Sequence, residues 1–122
     1  MKKGKAGLLE KIKQHPESVG FKEVMLVIDD NYGYSAKAFT SGKGHALVTN
    51  AAGTNEGSCK IFSFAKLHHL SETETLNCFG DYYRLDVLEN PEGRDHGNIR
   101  AFIKYGWESV VFEGEVLQEK KA

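Results

Sequence analysis

An apolar segment that follows a glycine-containing loop most constrains how this chain can fold. From Cys59 to Leu67 the apolar residues fall nearly all around a helix instead of on one face. Such a helix must be covered by other elements on most of its sides. The preceding loop, residues 50–57, leads into Ser58, whose hydroxyl is predicted to cap the helix. The sequence therefore predicts a central, buried helix that begins at Ser58.

Two helices are predicted before this segment from the spacing of apolar residues. The first carries Leu8 and Ile12 on one face and ends before Pro16, because proline disfavours helical geometry in the residue before it. The second has apolar residues at i, i+3, i+4 and i+7 from Phe21, which line one helix face. Gly33 is expected to close this helix in the left-handed conformation.

Two more helices are predicted after the central segment. Ser71 and Glu74 form a capping box, in which each side chain bonds the backbone N–H of the other residue. We expect this helix to continue through Gly80, at a kink or a close crossing, as far as Val87. Asp95 is expected to cap a fifth helix.

Short segments of loosely alternating polar and apolar residues predict the strands. Residues 34–39 and 45–49 are expected to form two of them, and residues 110–117 a last strand or hairpin packed on that pair. The predicted fold class is therefore α+β, with about five helices around a small, mainly antiparallel sheet of three or four short strands. A length of 122 residues predicts one domain, residues 1–122.

Composition excludes several classes of function. The formal net charge is −1, so no global positive field attracts nucleic acid or an anionic membrane. No segment approaches the roughly 20 apolar residues that a membrane-spanning helix needs. The two cysteines, Cys59 and Cys78, lie in apolar helical surroundings and are expected to be reduced thiols of a cytoplasmic protein.

The first candidate chemistry is a thiol nucleophile. Cys59 is predicted in the first turn of the central helix, where unpaired N–H groups and the helix dipole favour a thiolate. His96, at another helix start, is the candidate base of a Cys–His pair. The alternative is that Cys59 is a small packed residue and His96 a structural one.

The second candidate chemistry is ligand binding. Asn55, Glu56 and Ser58 precede or open a helix, where backbone N–H groups can hold an anion, and Asp95 beside His96 is a further candidate. A cleft near residues 50–57 would be a small-molecule site. The five histidines and two cysteines show no zinc-ligand spacing, so no metal and no cofactor are predicted.

A third candidate is a surface for a protein partner. Tyr82 and Tyr83 with Arg84 and Arg100 supply residue types that are enriched at interface hot spots. The alternative is that Tyr83 faces the core while Tyr82 and Arg84 lie at its rim.

Several runs of the sequence resemble the HopJ (HopPmaJ) type III effector-like family of small bacterial proteins. The resemblance covers about residues 17–114. Its runs are AFT at 38–40, NEGSCKIFSF at 55–64, AKL at 65–67, LSE at 70–72, FGDYYR at 79–84, VLENPEG at 87–93, DHGNIRAF at 95–102 and GW at 106–107.

The resemblance implies a small bacterial protein of uncharacterised activity, and it carries no catalytic or binding residues over to this chain. A binding role is expected because helix caps and core packing account for nearly every prominent motif. The first amphipathic helix starts within about eight residues, early for the flexible leader that type III export uses. The expected protein is thus a resident cytoplasmic binding or interaction protein, whose partner is an unknown protein or small molecule. A thiol-dependent enzyme using Cys59 and His96 is the alternative.

Overall fold

Residues 4–120, the part of the chain that the computed structural model describes, contain five α-helices and five short strands. The helices are α1 Lys5–Gln14, α2 Phe21–Asn31, α3 Glu56–Leu67, α4 Glu72–Asn77 and α5 Gly97–Tyr105. The strands are β1 Tyr32–Tyr34, β2 Phe39–Ser41, β3 Val48–Asn50, β4 Val111–Phe112 and β5 Leu117–Glu119. Their order along the chain is α1, α2, β1, β2, β3, α3, α4, α5, β4, β5. A π-helical segment, Tyr82–Val87, lies between α4 and α5. The predicted α+β class is confirmed.

The strands form two small antiparallel sheets. In one, β1 pairs with β5 and Tyr34 lies opposite Leu117. In the other, β2 lies between β3 and β4, and Phe39 lies opposite Phe112. Residues 110–117 were expected to form a last strand or hairpin packed on the earlier pair. Strand β4 does pair with β2, whereas β5 pairs with β1 in the other sheet.

Helix α3 forms the centre of the core, as predicted. Its buried residues include Phe62, which has no exposed surface. The Phe62 ring contacts four other aromatic rings at centroid distances of 5.0 to 6.3 Å. These rings belong to Phe39, Phe79, Phe102 and Trp107. Elements on both sides of α3 in the sequence therefore meet at one side chain.

The start of α3 differs from the prediction. The helix begins at Glu56, and Asn55 precedes it in the left-handed conformation with φ 47° and ψ 47°. Asparagine tolerates that conformation better than most residues with a side chain. Ser58 consequently lies inside the first turn and does not cap the helix.

Gly80 breaks the helix that was expected to run on to Val87. Helix α4 ends at Asn77, and Gly80 has a φ of +63°. A Cβ atom at Gly80 would lie 2.7 Å from the backbone nitrogen of Phe21, so the predicted close crossing is present. The chain resumes as the π-helical segment, in which the Leu88 N–H donates to the Tyr83 carbonyl at 3.0 Å. The predicted capping box of Ser71 is confirmed.

Two further boundaries of predicted elements also differ from the structure. Helix α2 passes directly into β1 at Tyr32, and Gly33 lies within that strand opposite Gln118 instead of closing the helix. Residues 35–38, predicted as strand, connect β1 to β2. Within residues 4–120, no helix has the length and apolar character to cross a membrane.

Candidate functional site

A cleft of about 410 Å³ lies where the first turns of α3 and α5 converge. Its lining combines aromatic rings with small and polar residues from several separate segments. The lining residues are Phe21, Val48, Asn55, Gly57, Ser58, Phe79, Tyr82, His96, Gly97, Asn98 and Ile99. Its volume is in the range of pockets that hold small molecules.

A buried network of polar side chains holds the two helix starts together. Asn98 accepts hydrogen bonds from Ser41 Oγ at 2.6 Å and Asn50 Nδ2 at 3.0 Å. It donates in return to Asn50 Oδ1 at 2.9 Å. Asn55 Nδ2 donates to the same Asn50 oxygen at 2.7 Å. The network therefore connects α5, β2, β3 and the residue that precedes α3.

Both helices that open on the cleft lack a capping side chain. Asn55 and His96 each precede a helix in the left-handed conformation, and neither side chain makes a capping hydrogen bond. The first N–H groups of an α-helix have no acceptor within the helix. Gly57 and Ser58 from α3 and Gly97 and Asn98 from α5 all line this one cleft.

His96 forms a charged cluster with two aspartates at the rim of the cleft. Its Nε2 atom lies 3.0 Å from Asp86 Oδ2 and 3.7 Å from Asp95 Oδ2. The other oxygen of Asp95, Oδ1, accepts from Arg100 Nη2 at 2.7 Å. This guanidinium lowers the pKa of the Asp95 carboxyl below its ordinary value. The Tyr82 ring packs against the imidazole at a centroid distance of 5.2 Å.

The prediction that Asp95 caps α5 was wrong. Helix α5 begins at Gly97, and the residue before it is His96. Asp95 is one position too early, and its carboxylate binds Arg100. The sequence predicted no metal site, yet one ligand atom each from Asp86, Asp95 and His96 lies within 4.8 Å of the others. These three residues can hold a metal ion.

Cys59 lies in the core instead of the cleft. Its exposed fraction is 1%, and the carbonyl oxygen of Lys37 lies 4.0 Å from Sγ. Burial raises the pKa of the thiol, which opposes the thiolate that the helix start favours. His96 instead contacts Asp86, Asp95 and Tyr82. Cys59 and Cys78 are both free and buried.

The reactivity of Cys59 follows from this position. We expect native protein to react slowly with iodoacetamide, with a rate that keeps rising above the ordinary thiol pKa of about 8.5. Mass spectrometry against pH, with Cys59→Ser as the control, measures the rate at this residue. Fast labelling of native Cys59 that levels off below neutral pH would contradict the expectation and restore the thiol enzyme.

The arginines of the predicted partner surface are engaged in internal bonds. Arg84 donates from Nη1 to the carbonyls of Pro16 and Asn77 at 3.2 and 3.1 Å. Arg100 donates to the Asn90 carbonyl at 2.8 Å and to Asp95. Tyr82 is 43% exposed and lines the cleft. The two guanidiniums thus bind backbone carbonyls within the protein. Among these residues, Tyr82 is the one whose side chain is accessible to a partner.

The structure brings some of the predicted site residues together. Asn55, Ser58 and His96 all line the cleft, and Asp95 contacts His96 at its rim. Glu56 is exposed in the first turn of α3. Sequence reasoning missed Asn98 and Asp86, whose partners are distant in sequence. For Asn98 the available signal was a polar residue beside the apolar face of a predicted helix, whereas the exposed Asp86 gave no such signal.

The fold and the cleft define a small α+β protein whose candidate ligand site lies between two helix starts. The chain belongs to the HopJ type III effector protein family, whose model matches residues 5–117. A crystal structure of an unknown-function protein, VPA0580, superposes with a TM-score of 0.93 at 44% sequence identity. That match covers 98% of this chain and 97% of the other. No curated protein matches the sequence.

Proposed function

We propose that this protein is a binding protein that holds a small molecule in the cleft between the starts of α3 and α5. The observation that carries the proposal is the convergence of two uncapped helix starts on one cleft of about 410 Å³. Ligand sites combine an apolar lining with a few convergent polar groups, and this cleft has both.

The lining indicates the chemistry of the ligand. The rings of Phe21 and Tyr82 offer apolar surface for a planar body. The N–H groups at the starts of α3 and α5 are suited to an acceptor oxygen with negative charge. We therefore propose a planar molecule that carries a carboxylate.

Nearby acidic side chains limit the charge that the ligand can carry. Glu56 is exposed in the first turn of α3, and Asp86 lies 3.0 Å from the His96 ring at the rim. These negative carboxylates would repel a strongly anionic group bound in the cleft. A single carboxylate suits the cleft better than a phosphate dianion.

Two further observations support the same cleft. The π-helical segment contributes Tyr82 to the lining and Asp86 to the rim cluster, and π-helical turns are rare and frequent at functional sites. Three runs that carry the family resemblance, at residues 55–64, 79–84 and 95–102, contribute most of the lining.

We propose the bacterial cytoplasm as the location of this binding protein. The two thiols are free and buried, which agrees with a reducing compartment.

The binding proposal is tested with benzoate, added to ¹⁵N-labelled full-length protein in the presence of EDTA. We expect millimolar benzoate to shift the amide resonances of Gly57, Ser58, Gly97 and Asn98, because their N–H groups would receive the carboxylate. Benzylamine, which has the same ring and the opposite charge, is expected to leave these resonances in place.

A matched pair of variants checks the role of the Tyr82 ring in binding. Tyr82→Ala removes a lining ring and should weaken benzoate binding several-fold, since stacking of aromatic rings contributes about 0.5–1.5 kcal/mol. Tyr105→Ala removes the same side chain at the far end of α5 and should leave binding unchanged. The proposal is wrong if benzoate shifts none of the four resonances, or if both variants bind equally well.

A protein partner is the second candidate. Leu85, Leu88 and Ile103 are 47%, 52% and 46% exposed, and the last two line a shallow hollow of about 230 Å³. Exposed apolar residues that lie together mark interaction surfaces. An absence of benzoate binding at the cleft would favour this candidate.

A further inference from the structure

We propose that Asp86, Asp95 and His96 form a binding site for a divalent first-row transition metal ion at the rim of the cleft. The three side chains come from two parts of the chain. Asp86 lies in the π-helical segment, and the two others lie just before α5. An imidazole combined with two carboxylates distinguishes this cluster from a purely acidic surface patch.

The distances between the ligand atoms fit a single ion. Atoms that lie about 2.1 Å from one ion, at tetrahedral or octahedral angles, are about 3.0–3.4 Å apart. His96 Nε2 lies 3.0 Å from Asp86 Oδ2 and 3.7 Å from Asp95 Oδ2. All three ligand atoms lie within 4.8 Å of one another. An ion therefore needs only small movements of the side chains.

The surroundings leave the ligand atoms available. Arg100 binds Oδ1 of Asp95 and leaves Oδ2, the oxygen that faces His96, for the ion. Such an outer hydrogen bond fixes the orientation of a ligating carboxylate. The Tyr82 ring packs against the imidazole and restricts its rotation.

The ligand set selects the class of metal. Imidazole suits zinc, iron, nickel and copper, whereas magnesium and calcium prefer sites of oxygen alone. The two carboxylates carry a charge of −2, and Arg100 contributes +1. A dication would leave a local charge of +1, although the start of α5 opposes a cation there. Three protein ligands leave at least one coordination position for water.

A structural role is the competing explanation, because Asp86 and His96 also form a plain ion pair. The test is titration of metal-free full-length protein with Zn²⁺, followed by isothermal calorimetry, and with Co²⁺, followed by visible absorption. We expect one Zn²⁺ to bind each chain and Co²⁺ to give a d–d spectrum without thiolate bands.

Two ligand variants separate the explanations. Asp86→Asn keeps the shape of the side chain, and His96→Asn keeps a residue that tolerates the left-handed backbone at φ 53°. Each should weaken Zn²⁺ binding by more than about tenfold, since even outer-shell changes cost 10–100-fold. Asp81→Asn and His45→Asn change exposed residues of the same types outside the cluster and should bind as the parent does.

The remaining outcomes overturn the proposal. Absence of binding, or equal binding by Asp86→Asn and the parent, would leave a structural ion pair. Loss of binding in His45→Asn alone would indicate an adventitious surface ion. Because the benzoate experiment contains EDTA, the metal site and the binding function can each fail while the other stands.

Discussion

Replacement of Phe62 by alanine is expected to lower the free energy of unfolding by about 3–5 kcal/mol, the usual cost of removing a buried aromatic side chain. Phe62 has no exposed surface and contacts the rings of Phe39, Phe79, Phe102 and Trp107. These neighbours belong to different elements, so they cannot all move into the cavity together. Urea denaturation followed by circular dichroism measures the change.

The matched control lies on the same helix. Leu67 is 50% exposed, so Leu67→Ala removes little buried surface and should cost less than about 1 kcal/mol. A loss below about 1.5 kcal/mol for Phe62→Ala would show that the core around α3 can collapse onto the space. The central place of α3 in the fold would then be wrong.

Helix α3 shows what local sequence information can predict. Its apolar residues surround the helix, and that pattern depends only on residues next to one another in the chain. The capping box at Ser71 and the end of α1 before Pro16 are likewise local signals, and both are confirmed. The existence of the five α-helices was therefore predictable from the sequence, whereas the π-helical form of Tyr82–Val87 was not.

Contacts between distant segments set the features that the sequence did not predict. Gly80 breaks a regular apolar pattern because the backbone of Phe21 crosses it at close range. The division of β4 and β5 between two sheets depends on pairing with Phe39 and Tyr34, more than 70 residues earlier. Pairing across such separations leaves no mark in the local pattern of either strand.

The residues of the candidate site also divide into those that local signals predicted and those that depend on distant contacts. Asn55, Ser58 and His96 were predicted because helix starts have local signals, although their meeting in one cleft was not. Asp86 was missed because its partner, His96, lies across a turn. The position of Cys59 in the first turn of a helix was predicted. Its burial was not, because burial depends on the residues that pack over that turn. Burial raises the pKa of the Cys59 thiol.

The second large effect is expected at Asn98, which links the fold to the cleft. Asn98→Ala removes three hydrogen bonds and leaves the buried Ser41 hydroxyl without its acceptor. Asn50 keeps its bonds to the Phe39 carbonyl and to Asn55. Each buried polar group left unpaired costs about 1–3 kcal/mol. We expect a loss of about 3 kcal/mol in urea denaturation, because Asn50 and Ser41 are both fully desolvated.

The same substitution should also weaken the cleft, because Asn50 loses both of its bonds with Asn98 and then holds Asn55 less firmly at the start of α3. Benzoate binding should therefore fall in Asn98→Ala under conditions in which the protein remains folded. Ser63→Ala is the control, since the Ser63 hydroxyl is buried without a hydrogen-bond partner and lies away from the cleft lining. It should cost little stability and leave binding intact. If Asn98→Ala and Ser63→Ala proved equally stable and bound benzoate equally well, the polar network would not be what holds the two helix starts together.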